Sequence, residues 1–456
     1  MPPLSDLTSQ KQSPNALKTL NGIRVLSLFW VIVGHVLLYH IFTAPANFFE
    51  IADHLIQENP NLIWLSNATP SVDSFFVIGG LLTGYLMKRT FDKVGKFDFI
   101  MFFMAILNRT LRLMPTIMVA VLSMIVFFQH TGAQDEQNMA FMDWPHFSDG
   151  YFWNQAQNCV ENWYLNLFNV MWLDASKQCL GQLWYVSCDY WFFIISLLLL
   201  MGFFKSEKSR KISYWLTGAM CTGSLAFDLW VAVVKNQQFN VTFIKTQPNG
   251  TDQYPGNEWV ENYFRPWSRC TPYFLGVIAG YWLVEARHNV SKVNWLYHVK
   301  VISLSLLLIG VIYFPLPNYY EPLFWPRWVG YAYTGLNRAF WGLFLAALIY
   351  YLEIYRTGWI YQILSNDYWL LLSKLNFSAY LYHMHVNTIV HEYVIHRMYF
   401  LTPLEAIMIG IAITVLSYGV AAFTYVIAEY PLSVLAKRIM EWVQGSMAQK
   451  GKQAKA

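Results

Sequence analysis

Gly22-Ile-Arg24-Val-Leu-Ser-Leu-Phe-Trp-Val-Ile-Val-Gly34-His35 is an apolar run with an arginine near one end and a histidine near the other. Carried on to Ile41, it reaches the roughly 20 residues that a helix needs to cross a bilayer core. Arg24 and His35 are eleven positions apart, about three turns at roughly 3.6 residues per turn, so they share one helix face. The rise between them is about 16 Å at ~1.5 Å per residue. Ionisable groups inside a span are costly and normally face a cavity or a partner. For His35 the competing reading is a histidine that hydrogen-bonds a neighbouring helix as packing glue.

The rest of the chain repeats this apolar character. Its 456 residues are 56% hydrophobic and only 13% charged, against about a quarter charged in soluble domains. That excludes a soluble globular domain. Apolar blocks at 22–41, 71–87, 113–128, 183–204, 212–234, 273–284, 301–314, 339–352, 371–390 and 404–428 predict an all-α, polytopic bundle of about ten spans. The sixth and eighth blocks are short or interrupted. Met1 to Lys18 is polar, which predicts no cleavable signal and insertion by the first helix itself. No repeat, low-complexity tract or linker divides the chain. The expected organisation is a terminal segment at 1–19, a transmembrane domain at 20–436 and a basic tail at 437–456. A net charge of +4 does not point to nucleic acid, and membrane lipids are the expected surroundings.

Cytoplasmic loops carry the excess of Lys and Arg. Placing the amino terminus inside puts Lys11, Lys18, Lys88, Arg89, Lys93, Lys96, Arg109, Arg112, Lys205, Lys208, Arg210, Lys211, Arg287, Lys292, Arg356, Lys437 and Arg438 on that side. Both termini are then expected in the cytosol, with outward loops facing the exterior of a plasma membrane or the lumen of the endoplasmic reticulum. Cys159 and Cys179 fall in an outward loop, where oxidising conditions permit a bridge. The sequons at Asn240 and Asn249 also fall outward and are candidate glycosylation sites. Cys188, Cys221 and Cys270 lie in or against spans, as small apolar residues do.

Three helices each offer one ionisable residue at similar depth: His35, Asp73 and Asp189. A carboxylate beside the imidazole would fix its tautomer and raise its basicity, as a general base requires. Asp73 can also be read as a helix cap at the membrane surface. Gly79, Gly80 and Gly84 follow it and allow a neighbouring backbone to come close. Arg109 and Arg112, expected at a mouth of the bundle with Arg24, suit phosphate recognition, although for any one of them positive-inside topology with anionic lipid is the better reading. His383 and His385 place two more imidazoles in a span. Residues two apart point to different sides of a helix, which argues against a paired metal site.

Taken in order, these segments resemble the membrane acyltransferase-3 family. The resemblance rests on Gly22-Ile-Arg24 with His35, Val72-Asp73-Ser-Phe-Phe with Gly80, and Arg109-x-x-Arg112-Leu-x-Pro115. Leu183-Trp184-Tyr185 with Asp189, Tyr380-Leu-Tyr-His383 and Ala428-Glu429-Tyr430-Pro431 continue it. Asn158-Cys159-Val-Glu-Asn-Trp163, Cys179-Leu-Gly-Gln-Leu-Trp184 and Arg265-Pro266-Trp-Ser-Arg269-Cys-Thr-Pro272 are similar to the nose-resistant-to-fluoxetine-like animal branch. The likeness runs from about Leu20 to Lys437. Gly79 stands where the family often has serine, and Asp189 where bacterial members have glutamate. The animal branch carries a cysteine-rich domain ahead of this core, and the residues before Leu20 do not supply one.

The resemblance implies a ten-helix core that takes an acyl group from cytosolic acyl-coenzyme A and passes it to a hydroxyl acceptor, a carbohydrate or lipid, on the far side. It implies His35 as catalytic base and Arg24 toward the cofactor; from depth and charge, Asp73 and Asp189 are the candidate catalytic partners and Arg109 and Arg112 the further candidate cofactor-binding residues. Trp184, Tyr185 and His383 are further candidates, and no metal is expected. The alternative expectation is a lipid or small-molecule transporter that uses the same cavity without chemistry.

Overall fold

In the computed structural model, the described residues are 9, 12, 16–42, 59–128, 151–174, 177–239, 263–287, 292–321, 324–391 and 402–453. They form helices and turns, with no strand among them. The long helices are α1 (Thr19–Phe42), α2 (Pro70–Val94), α3 (Phe99–Ser123), α4 (Tyr151–Leu167), α5 (Leu183–Lys205) and α6 (Glu207–Val234). They continue with α7 (Cys270–Ala286), α8 (Trp295–Tyr313), α9 (Arg327–Tyr355), α10 (Tyr368–Ile389), α11 (Pro403–Thr424) and α12 (Tyr430–Gln453). Lys11, Asn240 and Asn249 lie outside the described residues.

Among the described residues, eight helices are long and apolar enough to cross a membrane. All ten expected blocks are helical. Of the remaining two, α7 has 17 residues, and α10 carries Lys374, Asn376, His383, His385 and Asn387 along its length. The bundle has an apolar core that holds buried charged pairs, and an apolar exterior. Asp73 and Arg269 are fully buried, whereas Phe423 is 67% and Trp215 81% exposed. Such an exterior is stable only against hydrocarbon.

Span boundaries correct the sequence reading in two places that matter. The third span was expected at 113–128, with Arg109 and Arg112 in the loop before it. Instead α3 starts at Phe99, and Arg109 and Arg112 lie well inside it. Asp98 caps that start by accepting a hydrogen bond from the Met101 amide at 3.1 Å. Arg109 is tolerated in the helix because Asp189 neutralises it. The eighth span, expected at 339–352, is the 29-residue α9. Its Arg338 is neutralised by Asp228 in the same way. At the other end of the chain, α12 runs through position 437 without a break.

Helices α2 and α7 pack with their backbones in contact. A Cβ added at Gly80 or Gly84 would meet the carbonyl oxygens of Tyr273 and Val277 at 1.9 and 2.1 Å. One added at Gly276 or Gly280 would meet those of Val77 and Leu81 at 2.3 and 2.1 Å. Only glycine fits at these four places, the small-residue packing expected between membrane helices.

The start of α1 is set by tertiary contact. The buried Glu353 of α9 accepts from the Thr19 amide at 3.0 Å and its hydroxyl at 2.8 Å. Its other oxygen accepts from Arg287 at 3.0 Å and Arg356 at 3.2 Å. A carboxylate at a helix N-terminus satisfies an orphan amide and opposes the helix dipole. Glu353 thereby fixes the height and rotation of the helix that carries Arg24 and His35.

Candidate active site

His35 on α1 meets His383 on α10. Nδ1 of His35 lies 2.8 Å from Nε2 of His383, and Nδ1 of His383 lies 2.5 Å from the Tyr380 carbonyl oxygen. A carbonyl only accepts, so Nδ1 of His383 carries a proton, and in the neutral ring Nε2 is then an acceptor. His35 must therefore donate from Nδ1, which leaves the lone pair on its Nε2. Among the described residues this nitrogen has no hydrogen-bond partner, and the His35 side chain is half-buried whereas His383 is fully buried. The backbone carbonyl thus sets the tautomer of two imidazoles in series and leaves a basic nitrogen accessible.

The α10 turn that supports His383 is anchored to the start of α5. The Gln182 side chain donates to the Leu381 carbonyl at 2.8 Å, and the Tyr380 hydroxyl donates to the Gln182 carbonyl. Tyr185 packs against Tyr380, with ring centroids 5.6 Å apart, and Tyr380 lies 5.5 Å from His383. Tyr185 therefore reaches the histidine pair only through Tyr380. Trp184 faces elsewhere, over the Arg269 guanidinium at 5.2 Å. His385 points away from His383, toward Tyr382, as its spacing requires.

The two carboxylates expected near His35 are engaged elsewhere. Asp73 is held by Arg269 at 3.0 and 3.2 Å, both side chains fully buried. Arg269 also donates to the Tyr263 carbonyl at 3.0 Å and lies over its ring. Beside this pair, Arg338 contacts Asp228 at 3.3 Å and donates to the Ser268 carbonyl at 3.1 Å, while Ser268 donates to Asp228. Two acids and two arginines from α2, α6, α9 and the start of α7 form one neutral network. Asp189 is paired with Arg109, so Arg109 is not a free cofactor cation. Gly79 lies beneath that pair: a Cβ there would stand 2.7 Å from an Asp189 oxygen.

Arg24 and Arg112 differ from all of these. They lie within electrostatic reach of each other, with Tyr185 close to Arg24. Among the described residues neither has an ion-pair or hydrogen-bond partner. Glu429, which accepts from Ser378, lies within electrostatic reach of Arg112. Two guanidiniums within electrostatic reach of each other, neither in an ion pair among the described residues, form a place for an anion. Among the described residues no group of three or more His, Cys, Asp or Glu could hold a metal ion. Cys159 and Cys179 form a disulfide that ties α4 to the segment leading into α5.

Sequence reasoning passed over Asp228, Arg338 and Glu353, and quoted Arg269 and Gln182 only as motif letters. For the charged four, the available signal was the one applied to Asp73: a charge inside or beside an apolar block needs an opposite charge. No spacing rule could have paired Asp73 with a residue 196 positions away.

Comparison with known proteins bears on the whole bundle. A family described as an acyltransferase domain matches residues 17–425. Nose resistant to fluoxetine protein 6 of Caenorhabditis elegans is 24% identical over 464 residues, 94% of this chain and 52% of that protein. Regulator of hypoxia-inducible factor 1, from the same organism, is 22% identical, over 95% of this chain and 83% of its own length. A Staphylococcus aureus protein provisionally named an O-acetyltransferase is 22% identical, over 93% of this chain and 58% of its own. The chain thus spans about half the length of the first relative. No solved structure matches it.

Proposed function

Because the chain belongs to the membrane acyltransferase-3 family, we propose that it transfers an acyl group from acyl-coenzyme A to a hydroxyl of a carbohydrate or lipid acceptor. The observation that carries this reading is the hydrogen-bond series from the Tyr380 carbonyl through His383 to His35. It leaves an accessible base on a rigid span, and Arg24 of the same span, with Arg112, supplies a place for a polyanion.

In the proposed reaction, His35 Nε2 takes the proton of the acceptor hydroxyl as its oxygen attacks the thioester carbonyl carbon. The tetrahedral adduct collapses, the carbon–sulfur bond breaks, and the departing thiolate recovers the proton from His35. The histidine ends neutral, ready for the next cycle. His383 does what a carboxylate does in other triads, but without charge: it holds the His35 tautomer and accepts the stronger hydrogen bond that the transient imidazolium donates. Arg24 and Arg112 bind the phosphates of coenzyme A. A long flexible arm then spans the roughly 16 Å, at ~1.5 Å per residue, that separates Arg24 from His35 along α1. The donor approaches from the cytosol and the acceptor from the opposite side.

Purified protein in nanodiscs, supplied with radiolabelled acetyl- and longer acyl-coenzyme A and membrane extract as acceptor, tests this. Label transfer by the wild type and not by His35→Ala is the expected result. Equal transfer by both would remove His35 from the chemistry. Coenzyme A release without label in any acceptor would show hydrolysis instead of transfer.

A further inference from the structure

Away from the histidines, a half-open cleft lies between α5, α6 and α7, with about 490 Å3 of empty volume. Much of that space is open to the bundle's exterior, and the part the walls themselves enclose is about 50 Å3, so the feature is a shallow groove and not a closed pocket. Its walls include Leu199, Leu200, Phe203, Phe274, Val277 and Ile278. The serine and threonine hydroxyls of the wall are turned back to backbone carbonyls: Ser196 to Phe193 at 2.8 Å, Ser213 to Leu199 at 2.9 Å, and Thr217 to Ser213 at 2.8 Å. A polar ligand would find few groups to bind there, and an alkyl chain needs none.

One end of the cleft reaches the turn between α5 and α6, which is basic. Lys205, Lys208, Arg210 and Lys211 surround a single acid, Glu207. Arg210 lies over the Phe203 ring at 5.5 Å, and Lys88 over the Tyr281 ring at 5.5 Å, so both cations border lining aromatics. Lys88 is neutralised by Asp92 and Glu285, each at 2.6 Å, and Lys211 by Glu207 at 3.4 Å. Arg210 has no ion-pair partner among the described residues. An apolar slot open to the bundle's exterior with an uncompensated positive rim matches one molecule class in shape and charge.

We propose that this cleft binds an acyl chain of an anionic membrane phospholipid, with the headgroup at Arg210 and its neighbouring lysines. The site is separate from the His35–His383 pair, since neither α1 nor α10 lines it, and it stands independently of the acyl-transfer reading. Positive-inside topology accounts for the basic turn but not for an empty apolar slot beneath it.

Full-length protein in phosphatidylcholine vesicles would receive a minor fraction of phosphatidylserine, or of phosphatidylcholine, bearing a photoactivatable diazirine in the tail. Labelled peptides would then be mapped by mass spectrometry. The expected labelling concentrates on residues 196–203, 213–217 and 274–282 and is stronger from the serine lipid. Thr217→Trp and Ile278→Trp fill the cleft from different helices, and each should remove that labelling while thermal melting stays unchanged. Arg210→Gln should leave the same peptides labelled and lower the preference for phosphatidylserine roughly fivefold, the share of one basic residue at an anionic surface. Labelling spread evenly over the outer helices, or surviving both tryptophans in folded protein, would overturn the site. Equal labelling by the two headgroups would overturn its anionic specificity.

Discussion

The Asp73–Arg269–Asp228–Arg338 network and the His35–His383 pair are both buried polar groups in an apolar bundle, and they differ in what they leave over. In the network every charge meets an opposite charge on another helix. In the histidine pair the hydrogen bonds run one way and end on a free nitrogen. The first arrangement closes on itself and holds helices together. The second remains open toward a reactant, as do Arg24 and Arg112. Within a membrane the same residue types serve as scaffold or as chemistry according to whether their partners are all supplied by the protein.

The comparison is most directly broken at His35. His35→Ala should lower acyl transfer by about 10²–10⁴-fold, the range for a positioned general base, and leave melting in detergent unchanged. If melting falls as well, His35 belongs with the scaffold. Arg269→Met should do the opposite and destabilise the fold by about 3–5 kcal/mol, because Asp73 is left buried and uncompensated. Denaturant unfolding of the folded fraction reads this, and Asp73→Leu added to Arg269→Met should recover most of the loss. A single change that costs nothing would show that the network is not holding the helices.

Arg24→Gln should raise the acyl-coenzyme A concentration needed for half-maximal rate by roughly tenfold or more, for a charged hydrogen bond worth about 1.5–3 kcal/mol. An unchanged KM with reduced kcat would move Arg24 from binding to chemistry. His383→Phe orphans the His35 donor, at about 1–3 kcal/mol, and should slow transfer accordingly. His383→Gln, whose amide oxygen can accept from His35, should restore part of the rate. If both variants behave alike, the tautomer argument fails.

The smallest effect belongs to Asp98, where the cap is local and partly exposed. Its hydrogen bonds with Lys96 and with the Met101 amide hold its carboxyl below the usual range. A lowered folded value means that its contribution is present above the ordinary carboxylate range and fades as pH falls through the lowered one. Asp98→Ala should cost about 1 kcal/mol at neutral pH, a typical cap, and the difference from wild type should shrink in acid. A difference that persists undiminished in acid would mean that the charge contributes nothing.

How far each feature could be read depended on how local its cause was. Blocks of apolar residues are a local property, and every expected block is helical. Gly80 and Gly84 announced a close helix approach, and Gly276 and Gly280 complete it. The beginning of α3 was missed because two arginines made an embedded stretch look like a loop. The cost of burying Arg109 is removed by Asp189, 80 positions away, and no window along the chain contains both.

For the same reason the sequence by itself determined an all-helical membrane bundle, the shared face of Arg24 and His35, and that Asp73, Asp189 and His383 lie within it. Those follow from hydrophobic length and helical period, which act over a few turns. Only the tertiary structure decided who meets whom: His383 rather than a carboxylate beside His35, Arg269 on Asp73, Arg109 on Asp189, and Glu353 at the start of α1. Such choices minimise the desolvation of buried charge over all helices at once. Strong penalties for an unpaired group in hydrocarbon make the pairing a property of the assembled bundle and not of any one span.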